Sequence, residues 1–426
     1  MILVAKTYWG GAPFHFRRQP RAADVAPLLL RSPDHRELGG LYWAPRNRPR
    51  PRVAVACMHP RVDFSRHYSF PRLLEAGIGC LGASTRNPNN DTDTVHEEIV
   101  LDVATCVQHL RAQGVEMVLL LGNSGGGSLF AFYQAQARLA PGKRIAHTPA
   151  GDPTRLRDVE LSPADGMIYV SAHKGEGRIM NECIDPSVVD EHDPLATDPA
   201  LDMFDPRNGF QPAPSWSTYS EEFVRRYRAA QLARVQRLDA VARGWVEAQA
   251  RARERHAAPG FDALEAREQR RILQREALQP IMVVYRTMAN LHYAARHLDP
   301  SGREYGSLLS DRPDLMNLQL LGFGRLCTPR AWLSTWSGIS SNADLEKTLP
   351  GIPDPTLVVN AGRDREIYPE TDAKPIFDAV AAPDRTFHEV PDARHYFEPD
   401  FGEREAPHVE QLMDVVVPWI QERFGD

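Results

Sequence analysis

Apolar positions along this chain follow two regimes. Short continuous apolar runs, bounded by turn residues, fill the first part: "DVAPLLLRS", "ELGGLYWAP", "RVAVACMH", "GIGCLGAS", "EMVLLLG" and "GMIYVSAH". Runs of this length suit strands buried on both faces, as in a parallel sheet. Between two of them, from Thr94 to Gln113, the apolar residues Val95, Ile99, Val103, Val107 and Leu110 recur at helical spacing, and Gly114 closes that helix. Strands alternating with helices predict a mostly parallel, doubly wound α/β sheet.

The pattern stops near Gly175. From there to Leu349 the chain reads as loops and long Arg/Ala/Glu-rich helices, such as "RRYRAAQLARVQRLDAVARGWVEAQARARERHA". The strand pattern then returns in "PTLVVNAG" and "RTFHEVPDA", followed by a helix around "PHVEQLMDVVVPWIQERF". A sheet interrupted and then completed implies one core, residues 1–174 and 350–426. It carries a mainly helical cap, 175–349, inserted after the sixth strand. The mixed charges of the long helix suit a solvated face, with a homodimer contact as the alternative.

Composition narrows the classes. Hydrophobic residues make up 42% and charged residues 25%, the balance of a soluble globular protein. A net charge of −6 gives no general attraction for nucleic acid or an anionic membrane. The N-terminal "MILVAKTYWGGAPFHFRRQP" holds a four-residue apolar run without a basic flank, too short for a signal-peptide core. No stretch approaches about 18 apolar residues, so no membrane span is expected. Cys57, Cys80, Cys106, Cys183 and Cys327 are scattered without a CxxC pair. They read as buried thiols of a reducing, cytoplasmic protein rather than disulfides or zinc ligands.

The candidate chemistry begins at "VLLLGNSGGGSLFAF", Val118 to Phe132. Gly122-Asn123-Ser124-Gly125-Gly126 fits G-x-S-x-G between a predicted strand and a predicted helix. A nucleophile on so sharp a turn needs strained dihedrals and small neighbours on either side. The helix start supplies free N–H groups where an oxyanion would form. A tight turn with an idle serine is the plainer reading. A phosphate loop fails, because no Lys-Ser/Thr follows and GxGxxG does not fit.

A serine hydroxyl needs a base, and the base an orienting acid. After the cap, "PTLVVNAGRDREIYP" places Asp364 just past a strand, with Glu366 as runner-up. Turn aspartates commonly satisfy local N–H groups, which is the alternative role for Asp364. In "RTFHEVPDARHYFEPD", His388 lies within the strand and His395 in the loop beyond, so His395 is the better base. The oxyanion hole takes one amide from Gly125 and a second from the loop Cys57-Met58-His59-Pro60-Arg61. Pro60 has no N–H, so Arg61 or His59 would donate. Arg61 could instead hold a substrate carboxylate or face solvent.

Ser124, Asp364 and His395, in that order and each at a strand end, resemble the α/β-hydrolase superfamily, over about Ala22 to His173 and Pro355 to the C-terminus. The resemblance implies a Ser-His-Asp triad with an adjacent oxyanion hole, no cofactor, no metal, and a cap after the sixth strand. Two departures stand out: His59-Pro60 replaces the usual His-Gly, and the cap is large. A serine nucleophile argues against the dehalogenases and epoxide hydrolases of the family, which need a carboxylate.

The expected reaction is acyl transfer on a small-molecule substrate: hydrolysis of a carboxylic ester, lactone or thioester of a small to medium apolar molecule. Acyl transfer to another acceptor and carbon–carbon bond hydrolysis reuse the same residues. A binding protein with an idle triad ranks last. Within the cap, "QPIMVVYRTMANLHYAARHL" brings Met282, Tyr285, Met288, Leu291 and His292 at helical spacing, as cap core or pocket lining. Trp332 and Trp336, at i and i+4, either pack the cap or line the acyl pocket. His173 and Lys174 end the sixth strand where ligands bind in such sheets, with Glu176 just beyond.

Overall fold

The structure is a computed structural model. It describes residues 20–21, 23–88, 90, 92–400, 403 and 405–425, so the N-terminal run read against a signal peptide lies outside the described residues.

Each run expected as a strand is one. They are β1 (Ala23–Arg31), β2 (Glu37–Pro45), β3 (Val53–His59), β4 (Gly79–Ser84), β5 (Met117–Asn123), β6 (Gly166–Val170), β7 (Thr356–Ala361) and β8 (Arg385–Val390). They form one eight-stranded sheet in the order β1-β2-β4-β3-β5-β6-β7-β8. β2 pairs antiparallel with β1 and β4, and the pairings from β4 through β8 are parallel.

Burial on both faces explains the unbroken apolar runs. Ala54, Ala56, Leu120 and Met167 join one core with residues of α2 (His96–Ala112) and α3 (Gly125–Arg138). The alternate residues Val55, Cys57, Leu119 and Ile168 join a second core with α1 (Phe70–Glu75) and α7 (Pro407–Phe424). At about 25 cal/mol per Å² of apolar surface, these two layers dominate the stability of the sheet. All five cysteines are buried free thiols. Among the described residues no helix is long and apolar enough to cross a membrane.

The stretch between β6 and β7 holds α4 (Glu176–Cys183), the 37-residue α5 (Glu221–Ala257) and α6 (Ala266–Ala277). Ser220 caps α5 by accepting from the Phe223 amide, and one stripe from Phe223 to Ala242 is buried. The segment around Tyr285 and Met288 is not helical, which corrects the sequence expectation. Met282–Val283 pairs with Leu326–Cys327 as a short antiparallel ribbon, and only single turns follow. Two reasons are local: adjacent Val283 and Val284 favour extended backbone, and Arg286 adopts a left-handed φ of 57°. Its guanidinium is anchored on Asp185 and Ser187, both at 2.9 Å.

Candidate active site

Ser124 stands between β5 and α3 with φ 54° and ψ −127°, a conformation that costs a non-glycine residue about 1–3 kcal/mol. Neighbouring glycines permit the turn. A Cβ on Gly122 would come 2.6 Å from the Gly127 Cα, and one on Gly126 would come 2.4 Å from the Met58 carbonyl oxygen. Asn123, buried beside the serine, donates to the Val170 carbonyl at 2.8 Å and takes the Tyr68 hydroxyl at 3.2 Å. Those bonds brace the turn from below.

The acid and the base arrive on adjacent parallel strands. The Gly362 amide donates to the Val390 carbonyl and the Arg363 amide to the Ala393 carbonyl, at 2.9 and 2.8 Å, which laces the loop after β7 to the loop after β8. A Cβ on Gly362 would lie 2.4 Å from the Pro391 carbonyl oxygen, so only glycine allows this approach. Asp364 Oδ1 accepts the amides of Glu366 and Ile367 at 2.8 and 3.1 Å. Its Oδ2 is left for His395 Nδ1 at 2.7 Å. Burial works against a charged His395, but the charge and hydrogen bond of Asp364 outweigh it, and the pKa is raised. His388, the alternative base, is exposed on the edge strand β8.

Ser124 and His395 line a cavity of about 370 Å³. His59, Arg61, His173 and Glu366 line it as well, with a wall of Leu308, Leu309, Leu321 and Phe323. Glu366, the runner-up acid, accepts the Tyr293 hydroxyl at 2.8 Å and the Leu308 amide at 3.1 Å. Burial pushes it up to about 7.

Trp332, Trp336, Tyr285 and Met288, which the sequence offers as pocket lining or as packing of the insertion, do not line this cavity. Trp332 is buried in the insertion core, where its Nε1 donates to Asp239 at 2.8 Å. Trp336 lies one layer back, its ring centroid 5.2 Å from the Arg61 guanidinium. Met288 packs with Ile179, Cys183, Tyr293 and Met316. Tyr285 is 39% exposed at the surface, because the chain turns at Arg286.

The loop after β3 also differs from expectation. The Arg61 amide donates to His59 Nδ1 at 3.2 Å, so it is committed and does not complete an oxyanion hole. The Gly175 amide donates to His173 Nδ1 at 3.1 Å in the same manner. Each imidazole therefore carries its proton on Nε2. Both Nε2 atoms converge on Gly125: a Cβ there would meet His59 Nε2 at 2.8 Å, His173 Nε2 at 3.0 Å and Glu176 Oε1 at 2.7 Å. Glu176 is buried, and Arg61 Nε donates to it at 3.2 Å. Burial opposes the Glu176 charge, but the Arg61 guanidinium overcomes this and holds the carboxyl below its usual range. Burial likewise pushes His59 down, towards the neutral form.

His59, His173 and Glu176 lie close enough together to suggest a two-histidine, one-carboxylate cation site. The hydrogen bonds argue otherwise. A metal-binding Nε2 needs the proton on Nδ1, facing an acceptor. Here both Nδ1 atoms face backbone N–H donors.

Sequence reasoning missed Asn123 with Tyr68, the Leu308–Phe323 wall, and Arg325, which also lines the cavity. Asn123 is the variable position before Ser124 in the G-x-S-x-G turn, where the motif fixes no residue; the others sit in no recognisable motif, and their proximity to Ser124 comes from long-range packing.

The strand order, the antiparallel pairings of β2 and the strained serine after the fifth strand define an α/β-hydrolase fold. The fold that the resemblance implied is thus the fold of the structure. No family model and no curated protein matches the chain. Solved structures do. The esterase domain of a Rhodothermus marinus protein is 10% identical, with a TM-score of 0.42, over 94% of this chain and 98% of that one. Est1E of Butyrivibrio proteoclasticus is 11% identical, with a TM-score of 0.42, over 94% and 99%. The α/β hydrolase GrgF of a Penicillium species is 12% identical, with a TM-score of 0.45, over 95% and 100%.

Proposed function

We propose that this protein is a serine hydrolase that cleaves a carboxylic ester, lactone or thioester through an acyl-enzyme on Ser124. The observation that carries the reading is the 2.7 Å bond between His395 and Asp364 beside a strained serine that shares its cavity with His395. His395 takes the Ser124 proton as the hydroxyl attacks the carbonyl, and returns it to the leaving group. Asp364 holds the tautomer with Nε2 free and stabilises the imidazolium. Water, activated by His395, then releases the acid.

The Gly125 amide at the start of α3 is one oxyanion donor. Pro60 has no N–H and the Arg61 amide is engaged, whereas the imidazole of His59 lies against Gly125, so its Nε2–H is the second donor, with His173 beside it. The insertion between β6 and β7 acts as the cap, and its leucines favour an apolar substrate.

A panel of short- and medium-chain p-nitrophenyl esters, assayed with wild type and Ser124→Ala, tests the reading. Turnover abolished in Ser124→Ala supports it, and turnover surviving in that variant overturns it. Product analysis with water against an alcohol or thiol acceptor separates hydrolysis from acyl transfer.

A further inference from the structure

The catalytic cavity contains a cation that the proposed chemistry does not use. Arg325 lines it, next to the leucine wall. Its Nη2 donates to the carbonyls of Asn317 and Leu321 at 3.2 and 3.4 Å. Its Nε is buried without a hydrogen-bond partner.

Three arginines with almost wholly buried side chains are matched by carboxylates: Arg86 by Asp102 at 2.7 Å, Arg234 by Glu191 at 2.6 Å and Arg286 by Asp185 at 2.7 Å. Arg144 and Arg303 are buried on backbone carbonyls instead, but neither lines the cavity. Arg61, the first candidate for reading a substrate carboxylate, is taken by Glu176. Arg325 has no such match among the described residues, and the charged side chain it feels is another cation, Arg234. Glu366, in the same cavity, is already bonded by Tyr293 and Leu308.

Burying a charge is costly unless a counter-charge or a full set of hydrogen bonds meets it, and Arg325 has neither, because its Nε is left without a partner. Uncompensated positive charge inside a leucine-lined active site is therefore a receptor for an anion. The guanidinium lies directly against the loop backbone: a Cβ on Gly322 would come 2.3 Å from Arg325 Nε, so a side chain there would displace the group from its present place. One unmatched positive charge balances one negative charge, which favours a carboxylate over a doubly charged phosphate monoester.

We propose that Arg325 binds a carboxylate carried by the substrate, so that the bond cleaved at Ser124 belongs to an apolar molecule bearing one free carboxylate. The proposal rests on the ester-hydrolase reading for its substrate, but its anion site can be tested apart from turnover. The kinetic arm compares p-nitrophenyl hexanoate with the mono-p-nitrophenyl ester of adipic acid. Wild type is expected to favour the carboxylate-bearing ester in kcat/KM, and Arg325→Met to reduce that ratio by about 10- to 100-fold, the range for a hydrogen bond to a charged group. Arg325→Lys is expected to retain part of the preference.

The binding arm titrates wild type and Arg325→Met calorimetrically with octanoate and with octyl phosphate. Octanoate binding that weakens at least about tenfold in the variant supports the site even if no ester is turned over. A wild type without preference between the two esters would overturn the proposal. So would equal octanoate affinity in both proteins, or tighter binding of octyl phosphate than of octanoate. Failure of the ester reading shows separately, as a Ser124 that does not react with a fluorophosphonate. Should Arg325→Met not fold, the wild-type ester ratio and the two ligand affinities decide.

Discussion

Asp364→Asn changes one atom of the proposed triad and keeps its shape, so its consequences can be worked out from the hydrogen bonds. Oδ1 of Asp364 accepts two backbone amides, from Glu366 at 2.8 Å and Ile367 at 3.1 Å. In the variant, the amide carbonyl oxygen takes that place. Flipping the group would leave both buried amides without an acceptor, at about 1–3 kcal/mol each. The NH2 therefore faces His395 Nδ1, which lies 2.7 Å from Oδ2 in the wild type. Two donors cannot share that contact. His395 moves its proton to Nε2, the atom that must accept the proton of Ser124. The wrong tautomer in an otherwise intact serine triad costs about 10⁴ in kcat, or about 5.4 kcal/mol of barrier. The assay is kcat and KM on the best p-nitrophenyl ester, with circular dichroism and a denaturant titration to show that the fold persists. A folded Asp364→Asn enzyme within about tenfold of wild-type kcat would refute the assignment of Asp364 and turn attention to Glu366, at the same sheet edge.

Three further outcomes follow from the same geometry. His395 must be neutral to act as base, and its pKa is raised because the Asp364 charge outweighs burial. The rising limb of kcat/KM against pH is therefore expected above about 6.5, the ordinary histidine value, and a limb below it contradicts the pairing. His59→Phe removes an Nε2–H beside Gly125 and is expected to lower kcat by about 10²-fold or more with little change in KM; an unchanged kcat would return the second oxyanion donor to the backbone. Trp332→Phe leaves one oxygen of Asp239 without its donor, so denaturant titration should show a loss of about 1–3 kcal/mol, while short-ester kinetics stay within a few-fold.

The sheet was readable because parallel strands buried on both faces are apolar at every position, so β3 through β6 announce themselves without any tertiary knowledge. Ser124 was readable because a strained turn demands glycines whose spacing survives in one dimension. Asp364 and His395 were placed by strand order, a weaker signal that depends on recognising β7 and β8 first. The cap residues were not legible. Tyr285 and Met288 fall at a helical spacing that the chain does not adopt, Trp332 and Trp336 lie on a helical turn whose buried face the spacing alone does not reveal, and which residues meet the cavity is decided by contacts such as Arg286 with Asp185. The commitment of the Arg61 amide was equally hidden, since a hydrogen bond to the imidazole two residues earlier leaves no mark on the sequence.

The pairing of β6 with β7 sets the order in which this active site can assemble. β7 begins at Thr356, and the strand it must join ends at Val170, with the whole insertion between them. A newly made chain thus presents the edge of β6 unpaired while the insertion is synthesised. Closing so long a loop costs only about 2 kcal/mol more than an ordinary crossover, because the entropy grows logarithmically with length. The delay is the larger burden, since an open, apolar strand edge invites pairing with another chain. His395 and Asp364 can meet as soon as β7 and β8 pair, but they reach Ser124 only when β7 docks on β6. The three proposed catalytic residues therefore come together only once the chain beyond the insertion has been made and β7 has docked on β6.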